Sequence, residues 1–192
     1  MKYLVILSLF AVSVLTAGNL KDLNIGDKAP SFSLKNYDGK EFELQKLIKE
    51  NKLTVLMFIS TECPVSNAYN ERMNNIFNTF SKKGVAFIGI NSNKAEDTST
   101  IANHARKNGF KFPVLKDVRN KVADLYSAQV TPEIFVIGSN GNLLYHGRID
   151  DNRAAEKVKS NDLSDALTKL LDGKEPTTSV TKAFGCTIKR VD

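Results

Sequence analysis

Cys63 stands where an apolar run, Leu53-Thr54-Val55-Leu56-Met57-Phe58-Ile59, gives way to a helix-compatible segment that opens at Pro64. A thiol at such a seam meets the unpaired amides and the positive dipole end of the helix, and both favour the thiolate. The string Ser60-Thr61-Glu62-Cys63-Pro64-Val65-Ser66 therefore reads as a reactive-cysteine turn. Ser60, Thr61 and Ser66 supply hydroxyls that can bond the sulfur or cap the turn. Pro64 falls at the first helical position, where a missing amide does no harm. Two considerations run the other way: a free cysteine is often simply a small core residue, and the charge of Glu62 raises a neighbouring thiol's pKa.

The elements that must hold this turn can be read from periodicity. Leu53 to Ile59 lacks alternation, as expected of a strand buried on both faces. Val65, Tyr69, Met73, Ile76, Phe77 and Phe80 recur at helical spacing, which predicts one amphipathic helix from Pro64 to about Ser81. Ahead of them, Ile25 to Leu34 and Glu41 to Leu44 alternate around Asp38-Gly39, which predicts a hairpin. Val85 to Ile90 reads as a second buried strand, Thr98 to Lys107 as a helix, and Phe112-Pro113-Val114-Leu115 as a short edge strand because of its proline. Val118, Val122, Leu125 and Tyr126 mark a further helix. Ile134 to Ile137 and Leu143 to His146 flank Asn140-Gly141, a strong hairpin signal. Asn161 is placed to cap a last helix that Gly173 ends. The order predicts a mixed sheet between helices, followed by an aperiodic tail from Glu175 to Asp192 that carries Cys186.

Composition narrows the function classes. The 192 residues suit one domain with appendages, and two cysteines are too few for a disulfide scaffold. Met1-Lys2, the apolar stretch Tyr3 to Leu15 and Thr16-Ala17-Gly18 have the pattern of a cleaved secretory signal over residues 1–18, too short to span a bilayer. This predicts a domain over 19–174 and a tail over 175–192, with export to a compartment such as the bacterial periplasm and no stable membrane insertion after cleavage. The net charge of +6 comes from scattered lysines, and no nucleic-acid partner is expected without a clustered patch. His104 and His146 lack ligand-like neighbours in the sequence, and no metal or cofactor is implied. Asp150-Asp151 reads as a solvated loop.

Several pieces, taken in order, resemble a known family. Gly26-Asp27-Lys28-Ala29-Pro30-Ser31-Phe32-Ser33-Leu34, Asp38-Gly39-Lys40, the strand ending at Cys63-Pro64, Val130-Thr131-Pro132-Glu133-Ile134-Phe135-Val136-Ile137 and Asn140-Gly141 are similar to the thioredoxin-like redoxins of the AhpC/TSA (alkyl hydroperoxide reductase and thiol-specific antioxidant) family. The resemblance implies an α/β thioredoxin fold: a mixed central sheet flanked by helices, with an N-terminal β-hairpin extension and a C-terminal tail. It implies that Pro132 is the cis-proline lying against the reactive cysteine, with Thr131 presenting backbone to a bound disulfide or peptide. Peroxiredoxins in the family carry a proline and a threonine where this chain has Leu56 and Ser60. Where they keep an arginine, this chain reads Thr131-Pro132-Glu133, which leaves Arg148 as a candidate thiolate partner.

Dithiol members carry a second cysteine where Ser66 stands, and a serine cannot close a disulfide. Within the family reading the resolving thiol is therefore Cys186, in Phe184-Gly185-Cys186, and a reversible Cys63–Cys186 bond is one expectation; a permanent tail-to-core disulfide is the other. The implied activity is thiol-disulfide oxidoreduction on protein or small-molecule disulfides and thiols, sustained by an external thiol reductant. Peroxiredoxin-like peroxide reduction is the enzymatic alternative, and a non-catalytic binding module is the alternative of another class.

Overall fold

The computed structural model describes residues 23–191, so the expected signal over residues 1–18 lies outside the described residues. The expected hairpin forms from β1 (Ser33–Asn36) and β2 (Glu41–Glu43), with Gly39 at positive φ in the turn. It is shorter than its alternation suggested. Residues 25 to 30 run instead beside a later turn, where Gly26 and Leu143 backbones bond and Ala29 donates to the Gly141 carbonyl. Leu44, expected at the end of the second strand, starts a helix, α1 (Leu44–Glu50). Two apolar anchors one turn apart, Leu44 and Ile48, are buried and hold it on the sheet.

β3 (Leu53–Phe58) is central, parallel to β4 (Val85–Asn91) on one side and antiparallel to β7 (Glu133–Gly138) on the other. With β5 (Val114–Lys116) and β8 (Leu143–Gly147) the sheet order is β2-β1-β5-β4-β3-β7-β8. β5 thus lies inside the sheet, not at its edge as its proline suggested. Pro113 precedes the first paired residue, so its missing amide costs no ladder bond, and its carbonyl accepts from Gly89.

β3 is buried on both faces because its side chains alternate between two cores. Val55 and Met57 pack with α3 (Asn70–Phe80), α4 (Thr98–Lys107) and α6 (Asp162–Leu171). Leu56 and Phe58 pack with α1 and α5 (Lys121–Leu125) on the other face. Phe58, Phe135 and Tyr126 meet there edge to face or tilted, and each such side chain contributes about 1.5–3 kcal/mol by leaving water.

The helix expected from Pro64 to Ser81 is interrupted. α2 (Pro64–Ala68) stops at Tyr69, whose φ of −98° and ψ of −3° divide it from α3. Arg72 lies over the Tyr69 ring and Asp150 bonds its hydroxyl, which fixes the break. Asn161 sits at the start of α6 without a side-chain cap, and Gly173, at positive φ, ends it.

The segment after Glu175 is an ordered strap. Ser179 and Thr181 exchange backbone bonds with His146 of β8, and Thr181 occupies the space a side chain at Gly147 would need. Two short strands, β6 (Val130–Thr131) and β9 (Cys186–Thr187), then pair antiparallel, with Thr131 opposite Cys186. Beyond them, Ile188 donates to Gln129 and is buried, and Arg190 pairs with Asp124. Among the described residues no helix is long and apolar enough to cross a membrane.

Candidate active site

The end of β3 feeds directly into the cysteine turn, and Cys63 is the residue that caps α2. The Ser66 backbone amide donates to Cys63 Sγ at 3.3 Å, and the Thr131 carbonyl oxygen lies 3.3 Å from the same sulfur. Across the site the Thr131–Pro132 peptide bond is cis, as the family resemblance implied. Cys63 is 4% exposed, Pro64 beside it is exposed, and Cys186 is half-buried.

Cys63 and Cys186 are joined in a disulfide, with Cα atoms 5.8 Å apart and 123 residues of separation. β9 presents Cys186 from the strand laid along β6, so the two sulfurs meet where the start of α2 faces the Thr131–Pro132 corner. Gly185 is required by closeness: a methyl group there would overlap the Thr131 carbonyl. A cavity of about 280 Å³ opens beside the bond, lined in part by Glu62, Cys63, Glu96, Cys186 and Lys189.

Of the two roles open to the hydroxyls, they take that of holding the turn. Ser60 Oγ accepts from the Glu62 and Cys63 amides and donates its single proton to Glu96 Oε1 at 2.6 Å, leaving none for the sulfur. Ser66 reaches the sulfur through its amide, while its hydroxyl accepts from the Ser60 amide. Thr61 gives both its amide and its hydroxyl to Glu96 Oε2. Arg148 does not enter the site. Its guanidinium bonds Asp162 at 2.7 Å, and that pairing raises its pKa further. Glu133, where a peroxiredoxin would hold arginine, accepts from the Gln129 and Val130 amides and from His146, so it braces β6.

Sequence reading missed Glu96, which is 1% exposed at the edge of the cavity. Burial opposes its ionisation, yet hydrogen bonds from Ser60, Thr61 and Asn91 outweigh it and hold the carboxyl below the usual range. Asn93 adds a further donor to Oε1. One signal was available: Asn91-Ser92-Asn93 is a polar run at the carboxyl end of a buried parallel strand, the side on which α/β sheets build their sites.

The geometry can be compared with known proteins. A thiol-disulfide oxidoreductase ResA from Bacillus cereus is 29% identical over 122 residues, 64% of this chain and 68% of that protein. A hypothetical protein from Sinorhizobium meliloti superimposes with a TM-score of 0.82 at 30% identity, over 89% of this chain and 97% of that one. An uncharacterized conserved protein from Geobacillus kaustophilus gives the same score and identity over 88% and 93%. The fold is a thioredoxin fold, a mixed sheet flanked by helices. With residues 25–146 matching the family as a unit, and with that match spanning the cysteine turn, the cis-proline and the strands between them, the chain belongs to the AhpC/TSA family.

Proposed function

We propose that the protein is an exported thiol-disulfide oxidoreductase in which Cys63 is the nucleophile and Cys186 the resolving thiol. The observation that carries this reading is the bond between the two sulfurs at the start of α2, open on one side to a cavity. Likeness to relatives named thiol-disulfide oxidoreductases supports the same chemistry. In the reduced protein the Cys63 thiolate, steadied by the Ser66 amide, attacks one sulfur of a partner disulfide. A Cys63–partner disulfide forms and the partner's other sulfur leaves as a thiolate. Cys186 thiolate then attacks Cys63 Sγ, forms the internal disulfide and releases the partner's second thiolate. Two electrons have passed to the partner, and an external thiol reductant returns them.

In this reading residues 1–18 are a signal that is removed, 19–174 the redoxin domain, and 175–192 the segment that delivers the second sulfur. Thr131 and Pro132 shape the groove, and Pro64 forms part of its rim. Peroxide reduction fits less well, because Arg148 is engaged by Asp162 and the Ser60 proton by Glu96, which leaves few donors to polarise an O–O bond. The test is acid trapping of the protein from its source compartment, followed by alkylation and measurement of the reduction potential. A potential above about −300 mV, with reduction of a model disulfide that disappears in Cys63→Ser, is expected. A lower potential and no dependence on Cys63 would leave a structural bond in a binding module.

A further inference from the structure

Two segments carry the sulfurs, and besides the disulfide one buried chain of hydrogen bonds connects them. The Cys63 amide donates to Ser60 Oγ at 3.0 Å, and Ser60 Oγ donates to Glu96 Oε1 at 2.6 Å. Asn93 Nδ2 donates to the same oxygen at 2.8 Å, while Asn93 Oδ1 accepts from the Lys189 amide at 2.7 Å. Lys94 and Lys189 add a backbone bond of 2.9 Å. Ser60, Asn93 and Glu96 are all buried, and Lys189 lies three positions past Cys186.

The polarity of this chain leaves little choice of residue. Glu96 accepts everything it touches: Oε1 serves Ser60 and Asn93, and Oε2 serves the Thr61 amide, the Thr61 hydroxyl and Asn91 Nδ2. Only an ionised carboxylate presents two acceptor oxygens, so a glutamine of the same shape would point an amine at groups that already donate. Asn93 is equally constrained, since it must donate to Glu96 and accept from the strap with one amide.

We propose that Glu96 and Asn93 are positioning residues that keep the Cys186 strand registered on the cysteine turn while the disulfide is open, and so set the effective concentration of the resolving thiol. This rests on the reading that the bond opens and closes in turnover. When the covalent link is broken, β9 keeps its two-residue pairing with β6, and the strap around it keeps the Ile188 burial, the Phe184 ring against Tyr69, the Arg190 bonds to Asp124 and Ala128, and this relay. Among the hydrogen bonds of the described residues, it is the relay that ties the strap to the turn that carries Cys63, so it transmits the position of one sulfur to the other.

The test uses the full-length protein equilibrated in glutathione redox buffers, where the constant for closing the Cys63–Cys186 bond reports effective concentration. Glu96→Gln and Asn93→Ala are each expected to lower it by about tenfold, the effect of losing a buried bond to a charged group. In a Cys186→Ser background, Asn93→Ala should leave the alkylation rate of Cys63 close to its parent's, which separates registration from a general disturbance of the turn. If Glu96→Gln does not fold, Asn93→Ala carries the test. A folded Asn93→Ala with the wild-type closing constant overturns the relay alone. A wild-type bond that glutathione never opens overturns both the relay and the redox reading.

Discussion

The two sulfurs of one bond come from regions built by different physics. Cys63 extends from a strand whose six residues are all buried, and the turn after it is held by a buried carboxylate. Cys186 comes from a strap that fully buries one large apolar side chain, Ile188, rests Phe184 partly buried against Tyr69, and otherwise holds on by hydrogen bonds, the Arg190–Asp124 pair and close fit at two glycines, Gly147 and Gly185. Hydrophobic burial is lost only when a core comes apart, whereas a row of hydrogen bonds near the surface can open locally at small cost. The pair thus joins a fixed half to a half that can be lifted, an arrangement that fits the proposed opening and closing of the bond.

The contrast is broken most severely by exchanging the two sulfurs in turn. Cys63→Ser should reduce disulfide exchange to the uncatalysed background, while Cys186→Ser should still make the first attack and accumulate a mixed disulfide at Cys63, seen by mass spectrometry. Equal behaviour of the two variants would erase the distinction. Next in size, reduction of the wild-type protein should speed hydrogen exchange at the Ile188 and Lys189 amides by roughly a hundredfold while leaving Ile134 to Val136 unchanged. Were core and strap to open as one unit, the 123-residue separation would instead tie about 5 kcal/mol of global stability to the bond in the chain-entropy account.

Gly185→Ala sharpens the same contrast at one atom. The added methyl meets the Thr131 carbonyl, so proteolysis of the strap should accelerate and stability fall by about 1–3 kcal/mol. The smallest effect is acid sensitivity of the fixed half. Glu96 has its folded-state pKa below the ordinary 4.5, so the unfolded chain binds the proton first. Its contribution is full above that value and is lost as pH falls through the folded-state pKa, with a slope of at most about 1.4 kcal/mol per pH unit. A denaturation series from pH 6 to pH 3, in which Glu96→Gln shows a shallower fall than wild type, is the expected result.

What the sequence made legible follows from the range of each signal. β3, β4 and the β7–β8 hairpin announce themselves through local patterning, and the cysteine turn through its place after β3. α1 escaped because its first anchor, Leu44, follows Phe42 at strand spacing and so looks like the end of an alternating strand. β5 was misplaced because a proline beside a strand and a proline within it look alike in one dimension. Glu96 and Asn93 act on a turn some thirty residues away, and the one local signal, the polar run Asn91-Ser92-Asn93, marks a site without saying which segment's amides it serves. Arg148 failed as a candidate for the reverse reason: its partner, Asp162, lies on a helix that periodicity located without saying where it packs.

One further property follows from the path of the strap before it reaches β9. Ser179 and Thr181 bond His146, and so they lie along the last strand of the seven-stranded sheet. An uncovered rim of that kind invites a neighbouring copy to add its own strand, the usual first step toward insoluble assemblies. The same stretch of chain that carries the second sulfur therefore also works as a guard rail for solubility, and it can do both at once because its first anchor, at Gly147, is separate from the part that lifts in the proposed cycle.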